Sequence, residues 1–144
     1  MPIPRSAPLR SRDALWPARR ICEALVAANL GAIVVPALVR HTAVQKSAIA
    51  PAGQRPGPID HLNSAKVDID STVSAKQGIT LVDDFITRGA HFLGMYPLVA
   101  NAFPHQTISC FALVRTNSFE EVTAMIAPVT GTIKNHGGRP SRVP

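Results

Sequence analysis

Apolar residues recur at helical spacing near the start of the chain. Between residues 13 and 29 they fall at intervals of three and four, on one face of a helix: Leu15, Ala18, Ile21, Cys22, Leu25 and Val26. Ser11 and Asp13 are both suitable N-cap residues, and Gly31 stands just beyond the last apolar position. We therefore predict a helix over residues 13–29, with Trp16 packing it against the core.

Short apolar runs elsewhere predict strands. The β-branched run at residues 33–35 opens one of them. Two further apolar segments predict helices, the first with Pro97 as a kink and the second with Ser118 and Glu121 as a capping box. The predicted strands cover residues 32–44, 64–69, 79–82 and 107–115, and these two helices cover residues 89–103 and 118–126. This order predicts an α/β fold with a mostly parallel sheet flanked by helices.

Polar segments rich in proline and glycine connect these elements. Residues 45–62 are too numerous for a tight turn, so we predict a long flexible loop with a functional role between two strands. Residues 1–12 and 135–144 are also rich in proline and arginine. We predict a loop over residues 1–12 and a loose tail over residues 135–144, which would leave Arg139 and Arg142 as solvated charges.

The composition limits the chemical class of the ligand and the cellular compartment of the protein. The 144 residues, 46% of them hydrophobic, are enough for one domain, residues 1–144, with one core. A net charge of +6 favours an anionic ligand, either a phosphorylated metabolite or a nucleic acid. Only 5% of the residues are aromatic, so a stacking platform for single-stranded nucleic acid is not favoured. Cys22 and Cys110 lack metal-ligand spacing and are predicted to be reduced core thiols, as in a cytoplasmic protein.

The nearly apolar stretch from residue 21 to residue 39 is long enough to be mistaken for a membrane span. It contains Glu23, Asn29 and Pro36, and its hydrophobic period changes at Gly31. A helix followed by a strand explains this pattern better, so we predict no membrane partner.

The segment 79–91 carries the strongest chemical signal. A buried strand there ends in two adjacent carboxylates, Asp83 and Asp84, and a short turn with Thr87 and Gly89 leads into a helix. Ligands of open α/β sheets bind at the carboxyl ends of strands, and the free N–H groups of a helix start suit a phosphate. The carboxylates suit a ribose diol, directly or through a metal ion and its waters. The alternative is an ordinary strand-to-helix turn in which an Asp caps the helix.

The sequence of residues 81–90 resembles the phosphoribosyl pyrophosphate motif of type I phosphoribosyltransferases. Both have an apolar run, two acids, two apolar residues and then Thr-x-Gly. The family usually has Thr or Ser at the position of His91, and a smaller Val or Ile at that of Phe85. The resemblance implies a phosphoribosyltransferase-like fold and a Mg²⁺ ion held by Asp83 and Asp84. The substrate-binding residues that it implies are Arg5, Ser6, Asp83, Asp84, Thr87, Arg88, Gly89, Ala90 and His91.

The resemblance extends, through less distinctive motifs, over most of the chain. Residues 2–6 are similar to the end of the first core strand and the pyrophosphate-binding loop, so most of that strand would precede the first residue. Residues 45–62 take the place of the flexible catalytic loop, which implies that Lys46 and Arg55 clamp the pyrophosphate. The strand at residues 111–115 resembles the last core strand. The whole set is similar to compact, poorly characterised members near the competence-associated branch.

The resemblance implies an enzyme that transfers ribose 5-phosphate from phosphoribosyl pyrophosphate to a nitrogenous base or another nucleophile, with release of pyrophosphate. Two alternatives stay open. One is a non-catalytic module that binds phosphoribosyl pyrophosphate or a nucleotide in regulation or DNA uptake, which the net charge of +6 mildly favours. The other is a shortened, impaired homologue. No segment that would recognise the acceptor is evident, and a homodimer is left open.

Overall fold

The computed structural model describes residues 1–11, 13–45, 50–51, 54–68, 78–116 and 127–143 of the chain. The helices are α1 (Pro17–Ala27), α2 (Pro58–Asn63) and α3 (Ala90–Ala102), and the strands are β1 (Leu38–Arg40), β2 (Ala65–Val67), β3 (Ile79–Ile86), β4 (Ile108–Arg115), β5 (Thr132–His136) and β6 (Arg139–Val143). The chain is therefore a mixed α/β protein. Within the described residues, no helix is long and apolar enough to cross a membrane.

A parallel arrangement surrounds β3. β3 pairs with β4 in a register that places Ile79 opposite Ile108. The chain start also runs parallel to β3: the Ile3 N–H donates to the Val82 carbonyl at 2.8 Å, and the Val82 N–H donates to the Met1 carbonyl at 2.9 Å. Because both backbone groups of Val82 point to this segment, β4 lies on the other side of β3. The chain start thus extends the parallel arrangement around β3 on the side opposite to β4.

The other strand pairs of the described residues are antiparallel, so the expectation of a mostly parallel sheet holds only around β3. β1 pairs with β2, and β5 pairs with β6. β1 is also much shorter than the strand predicted over residues 32–44, because Pro36 has no N–H to contribute to a sheet. Ile33, in the β-branched run before it, is 73% exposed and belongs to no strand of the described chain. Strand propensity without a partner strand does not form a sheet.

The tail that was predicted to be loose forms a hairpin. β5 and β6 are joined by Gly137 and Gly138, whose φ angles of 59° and 84° suit a two-residue hairpin turn. The Gly138 N–H also donates to the side-chain oxygen of Asn135 at 2.8 Å. Arg142 lies on β6 and is half-buried, so the prediction that it is a solvated charge is wrong.

α2 occupies the last five residues of the segment 45–62, which was predicted to be a flexible loop. Pro58 is its first residue, and the Asp60 carboxylate accepts a hydrogen bond from the Gly57 N–H at 2.7 Å, which stabilises the helix start. α2 packs closely on α3, because a Cβ at Gly94 would lie 2.5 Å from the Pro58 carbonyl oxygen. Residues 58–62 are therefore a packed helix, whereas the described residues 54–57 before them are not helical. Lys46, in the first half of the segment, lies outside the described residues.

The other helices follow the sequence prediction more closely. α1 begins at Pro17 rather than at residue 13, since proline is suited to the first helical position. Trp16, just before it, is 7% exposed, and its indole N–H donates to the Ile3 carbonyl at 2.7 Å. This contact confirms that Trp16 packs the helix against the core. α3 lies within one residue of its predicted bounds, and the helix predicted over residues 118–126 lies outside the described residues.

The hydrophobic core is formed by side chains of the chain start, β1, β3 and α3. Its most deeply buried large side chains are Ile3, Leu38, Leu81, Phe92, Met95 and Val99. Cys22 is buried as predicted, but Cys110, also expected in the core, is exposed on β4. Phe111 and Leu113 of β4 are exposed as well, on the face of the sheet that no described element covers.

Candidate functional site

The carboxyl ends of β3 and β4 lie side by side. The Thr116 N–H, just after β4, donates to the Ile86 carbonyl at the end of β3 at 3.0 Å. Thr87 and Arg88 follow β3 directly and are exposed. Arg142 of β6 reaches the same edge, where its Nη2 donates to the Thr116 carbonyl at 3.1 Å. The hairpin therefore borders an edge at which α/β proteins commonly bind ligands.

An open cleft of about 450 Å³ lies at this edge, and we call it the basic cleft. Its lining residues are Arg55, Thr87, Arg88, Thr116, Pro140, Ser141 and Arg142. Three of them carry guanidinium groups, three carry hydroxyl groups, and none is acidic. Guanidinium groups bind phosphate or carboxylate oxygens through paired N–H donors, and each hydroxyl adds a donor. The lining suits an anion, as the net charge of the chain also indicates.

The basic cleft brings together three residues that the sequence singled out, Arg55, Thr87 and Arg88. The residues that sequence reasoning missed are Thr116, Ser141 and Arg142. The pair of glycines between two short polar runs is a hairpin signal from which β5 and β6 could have been predicted. Nothing local to the sequence shows which edge of the protein that hairpin covers.

Asp83 and Asp84 have different surroundings, because consecutive residues of a strand point to opposite faces of the sheet. Asp83 is 6% exposed, and its Oδ2 lies 2.9 Å from Nδ1 of His91. Its Oδ1 accepts a hydrogen bond from the Asp84 N–H at 3.0 Å. Asp84 is exposed. Of the two predicted ligands for a ribose or a metal ion, Asp84 alone presents its carboxylate to solvent.

Asp83 belongs to a buried group of polar residues around Arg40, which is 3% exposed. Nη2 of Arg40 lies 3.0 Å from His91 Nε2 and 3.5 Å from His61 Nδ1, and the two imidazole centres are 4.5 Å apart. Nη1 of Arg40 donates to the Ser64 hydroxyl. Because a guanidinium has only donors, both facing ring nitrogens accept, which leaves His91 Nδ1 to donate its proton to Asp83. We call Arg40, His61, Ser64, Asp83 and His91 the Arg40 cluster.

The charges of these residues depend on burial and on their partners. Burial opposes the ionisation of Asp83, but the hydrogen bonds from His91 and from the Asp84 N–H outweigh it and hold the pKa of Asp83 below its ordinary value. Burial raises the pKa of Asp84, and the neighbouring Asp83 carboxylate adds to the rise. Burial lowers the pKa of His61 to about 3, with His91 and Arg40 reinforcing the shift. Asp83 is therefore an ionised carboxylate whose hydrogen bonds are made within the protein interior.

The start of α3, predicted as the phosphate cradle, is covered. Gly89 caps the helix with a φ of 89° and is buried. A Cβ at this position would lie 2.6 Å from Cγ2 of Ile133, which shows how closely the β5 side chain covers the backbone here. Ala90 and His91 follow in the first turn, both half-buried, and the ring of His91 is held in the Arg40 cluster.

Arg5 and Ser6 lie beside β1 and do not line the basic cleft. The Arg5 carbonyl accepts a hydrogen bond from Arg40 Nε, and the Ser6 carbonyl accepts one from the Val44 N–H at 2.7 Å. Together with Trp16, Arg5 lines a separate pocket of about 120 Å³. Of the predicted pyrophosphate loop, Pro2 and Ile3 pair with Val82 of β3, and the Arg5 carbonyl is linked to the Arg40 cluster.

Few side chains in the described part of the chain are placed to coordinate a metal ion together. No group of three or more His, Cys, Asp or Glu side chains there could hold a metal ion. Mg²⁺ in phosphate-binding sites is commonly held by one or two carboxylates together with substrate phosphates and waters. The exposed Asp84 fits such a role, whereas both oxygens of Asp83 already accept hydrogen bonds.

The chain matches no family model, no curated protein and no solved structure. The chemistry of the site therefore follows from its own residues. The basic cleft can bind an anion, and Asp84 can accept hydrogen bonds from hydroxyl groups or help to hold a cation. The Arg40 cluster fixes the position of Asp83, the residue before Asp84 in β3.

Proposed function

We propose that the chain is a phosphoribosyltransferase, which binds phosphoribosyl pyrophosphate at the basic cleft and transfers its ribose 5-phosphate group to a nucleophile. One observation supports this proposal most directly. Thr87, Arg88 and Arg55 line one cleft, which lies at the carboxyl ends of two parallel strands. The first two belong to the motif that resembles the phosphoribosyl pyrophosphate site. Arg55 belongs to the segment that corresponds to the catalytic loop.

The transfer reaction requires stabilisation of the negative charge on the leaving pyrophosphate rather than a general acid or base. Pyrophosphate leaves from C1 of the ribose as the nucleophile arrives, and the departing group gathers negative charge. Arg55 is the cation suited to that charge, while Thr87 and Arg88 suit the 5-phosphate. A Mg²⁺ ion, when bound, would neutralise further charge on the pyrophosphate. Asp84 is the residue suited to the ion or to the ribose hydroxyls.

Binding without transfer is the second candidate, and the state of Asp83 favours it. Both oxygens of this carboxylate are used within the protein, by His91 and by the Asp84 N–H. One carboxylate instead of two would then be available to bind a ribose diol. A module of this kind would sense phosphoribosyl pyrophosphate or a nucleotide and would release no pyrophosphate.

Calorimetry with phosphoribosyl pyrophosphate, with and without Mg²⁺, tests the proposal. We expect binding that strengthens about tenfold with Mg²⁺. Asp84→Asn should lose this gain, whereas the control Asp68→Asn, an exposed acid after β2, should keep it. Absence of binding under both conditions contradicts the proposal.

Pyrophosphate release separates the two candidates. The chain is incubated with phosphoribosyl pyrophosphate, Mg²⁺ and each member of a panel of purine, pyrimidine and pyridine bases. Release that depends on one of the bases supports the transferase. Binding with no release for any base supports the sensing module.

A further inference from the structure

Gly89, the first residue of the helix start that the sequence predicts as a phosphate site, is covered by an apolar side chain. The first N–H groups of a helix have no partner within the helix and commonly bind phosphate. In this protein the Ile133 side chain covers Gly89, with Cγ2 and Cδ1 at 2.6 Å and 2.9 Å from the place of a Cβ. Ile133 also packs against the hydrophobic core. A phosphate at this position would have to displace an apolar side chain that the fold uses.

Three arginines line the open cleft beside this helix start. Arg55 precedes α2, Arg88 lies in the turn between β3 and α3, and Arg142 lies on β6. The bond from Arg142 to the Thr116 carbonyl fixes its guanidinium at the end of β4. Within the described residues, none of the three forms an ion pair with a carboxylate. Their positive charges therefore act together on whatever enters the cleft.

The remaining lining residues narrow the class of ligand. Hydroxyl groups of Thr87, Thr116 and Ser141 stand among the arginines, and hydroxyl and guanidinium groups are both good donors to phosphate oxygens. Among the described residues that line the cleft there is no aromatic, carboxylate or amide side chain, so its polar side chains are mainly hydrogen-bond donors, which match phosphate oxygens better than a base edge. The part of the ligand that the cleft recognises is its phosphate.

We infer that the phosphate groups of the ligand are held by arginine side chains from three separate segments, Arg55, Arg88 and Arg142, and not by the backbone N–H groups at the start of α3. The inference deepens the proposed function and rests on it for the identity of the ligand. It assigns a binding role to the β5–β6 hairpin, because Arg142 is contributed by β6. It also gives Ile133 the role of keeping phosphate away from Gly89.

Calorimetry with pyrophosphate and with phosphoribosyl pyrophosphate tests this arrangement. Arg88→Gln and Arg142→Gln should each weaken the binding of both compounds about tenfold. Arg139→Gln is the matched control: it removes the same charge from the same strand, but Arg139 does not line the cleft. It should change the affinity by less than about twofold, because an exposed charge outside the cleft is screened by salt. Thermal unfolding of each variant checks that the fold is retained.

Two further variants sharpen the test. Arg142→Lys keeps the charge but loses the paired donors, so its affinity should lie between those of Arg142→Gln and the unchanged protein. Ile133→Ala opens the helix start. If the arginines hold the phosphate, opening that site gains nothing, and pyrophosphate should bind no more tightly than before.

The outcomes separate this inference from the proposed function. Equal weakening by Arg139→Gln and Arg142→Gln would mean general attraction by a basic surface, and tighter binding by Ile133→Ala would place the phosphate on the helix. Either result overturns the arginine site. If phosphoribosyl pyrophosphate binds unchanged to Arg88→Gln and Arg142→Gln, the arginine site fails, and pyrophosphate release that depends on a base would still support phosphoribosyl transfer at another site. If pyrophosphate shows the expected pattern while phosphoribosyl pyrophosphate does not bind, the arginine site stands and the proposed function fails.

Discussion

Acid should destabilise this fold through His61. The side chain is 5% exposed, its Nδ1 lies 3.5 Å from Nη2 of Arg40, and its ring lies 4.5 Å from that of His91. The guanidinium can only donate, so the ring nitrogen that faces it must be an acceptor without a proton. A proton on His61 would bring two buried positive charges together. The unfolded chain has no such restriction, and there the ring takes up a proton near its ordinary pKa.

The size of the effect follows from the two pKa values. The pKa of His61 falls from 6.5 to about 3 on folding, because of burial first and then of His91 and Arg40. Between these values the unfolded state binds one proton more than the folded state. The stabilising contribution is complete above the unfolded pKa and declines as the pH falls, by about 1.4 kcal/mol for each pH unit. From about pH 7 to about pH 5, the free energy of unfolding should fall by about 2 kcal/mol through this residue.

Urea unfolding at about pH 7 and about pH 5 measures this loss, in a range where few carboxylates take up protons. His61→Asn retains an acceptor near the position of Nδ1 but does not titrate. It should be less stable at the higher pH and should show a loss about 2 kcal/mol smaller than the unchanged protein. His105→Asn, which removes an exposed histidine, is the control and should keep the full loss. If His61→Asn and the unchanged protein lose the same stability, His61 is not held without its proton and the reasoning is wrong.

Two further substitutions probe the packing that positions the site. Gly94→Ala should destabilise the fold by about 1–3 kcal/mol in urea unfolding, because the new Cβ would lie 2.5 Å from two atoms of α2. Gly31→Ala, where the nearest atom is 3.6 Å away, should be nearly neutral, and equal losses would contradict the packing. Arg40→Met should cost about 3 kcal/mol, because it leaves the Asp83 carboxylate and the imidazole acceptors without their cation. Arg40→Lys should restore little of this, since one ammonium cannot replace the several directed donors, and a full recovery would show that charge alone matters.

Local signals predicted much of the fold correctly. α3 was placed within one residue at each end, because a continuous apolar segment follows a glycine that caps the helix with a positive φ. α1 was predicted to begin four residues too early, since the apolar period continues through Leu15, whereas Pro17 sets the observed start and Leu15 is 68% exposed. The last five residues of the segment 45–62 were misjudged for a different reason. Its polar residues conceal a short helix that is stabilised by contact with α3 at Gly94, a contact distant in sequence.

The motif at the candidate site was recognised from the sequence, but the orientation of one of its two acids, Asp83, was predicted wrongly. The prediction ended the strand before Asp83, so both acids seemed free to face a ligand. β3 continues to Ile86, however, because it stays paired with β4 as far as Arg115. Once the strand continues, its two-residue period turns one acid inward, where a carboxylate needs hydrogen-bond donors.

His91 supplies that donor from the first turn of α3, and it stands at the position where the family that the motif resembles usually has a hydroxyl for the phosphate. A histidine engaged by Asp83 on one side and Arg40 on the other has no ring nitrogen left for a ligand. The loss of that hydroxyl and the cover of Ile133 over Gly89 both remove phosphate contacts from the helix start. Thr87 and Arg88 are turned the other way, toward the basic cleft. A phosphate bound by this protein would therefore have to take its contacts from side chains of the turn and the hairpin, which is the arrangement that the three arginines offer.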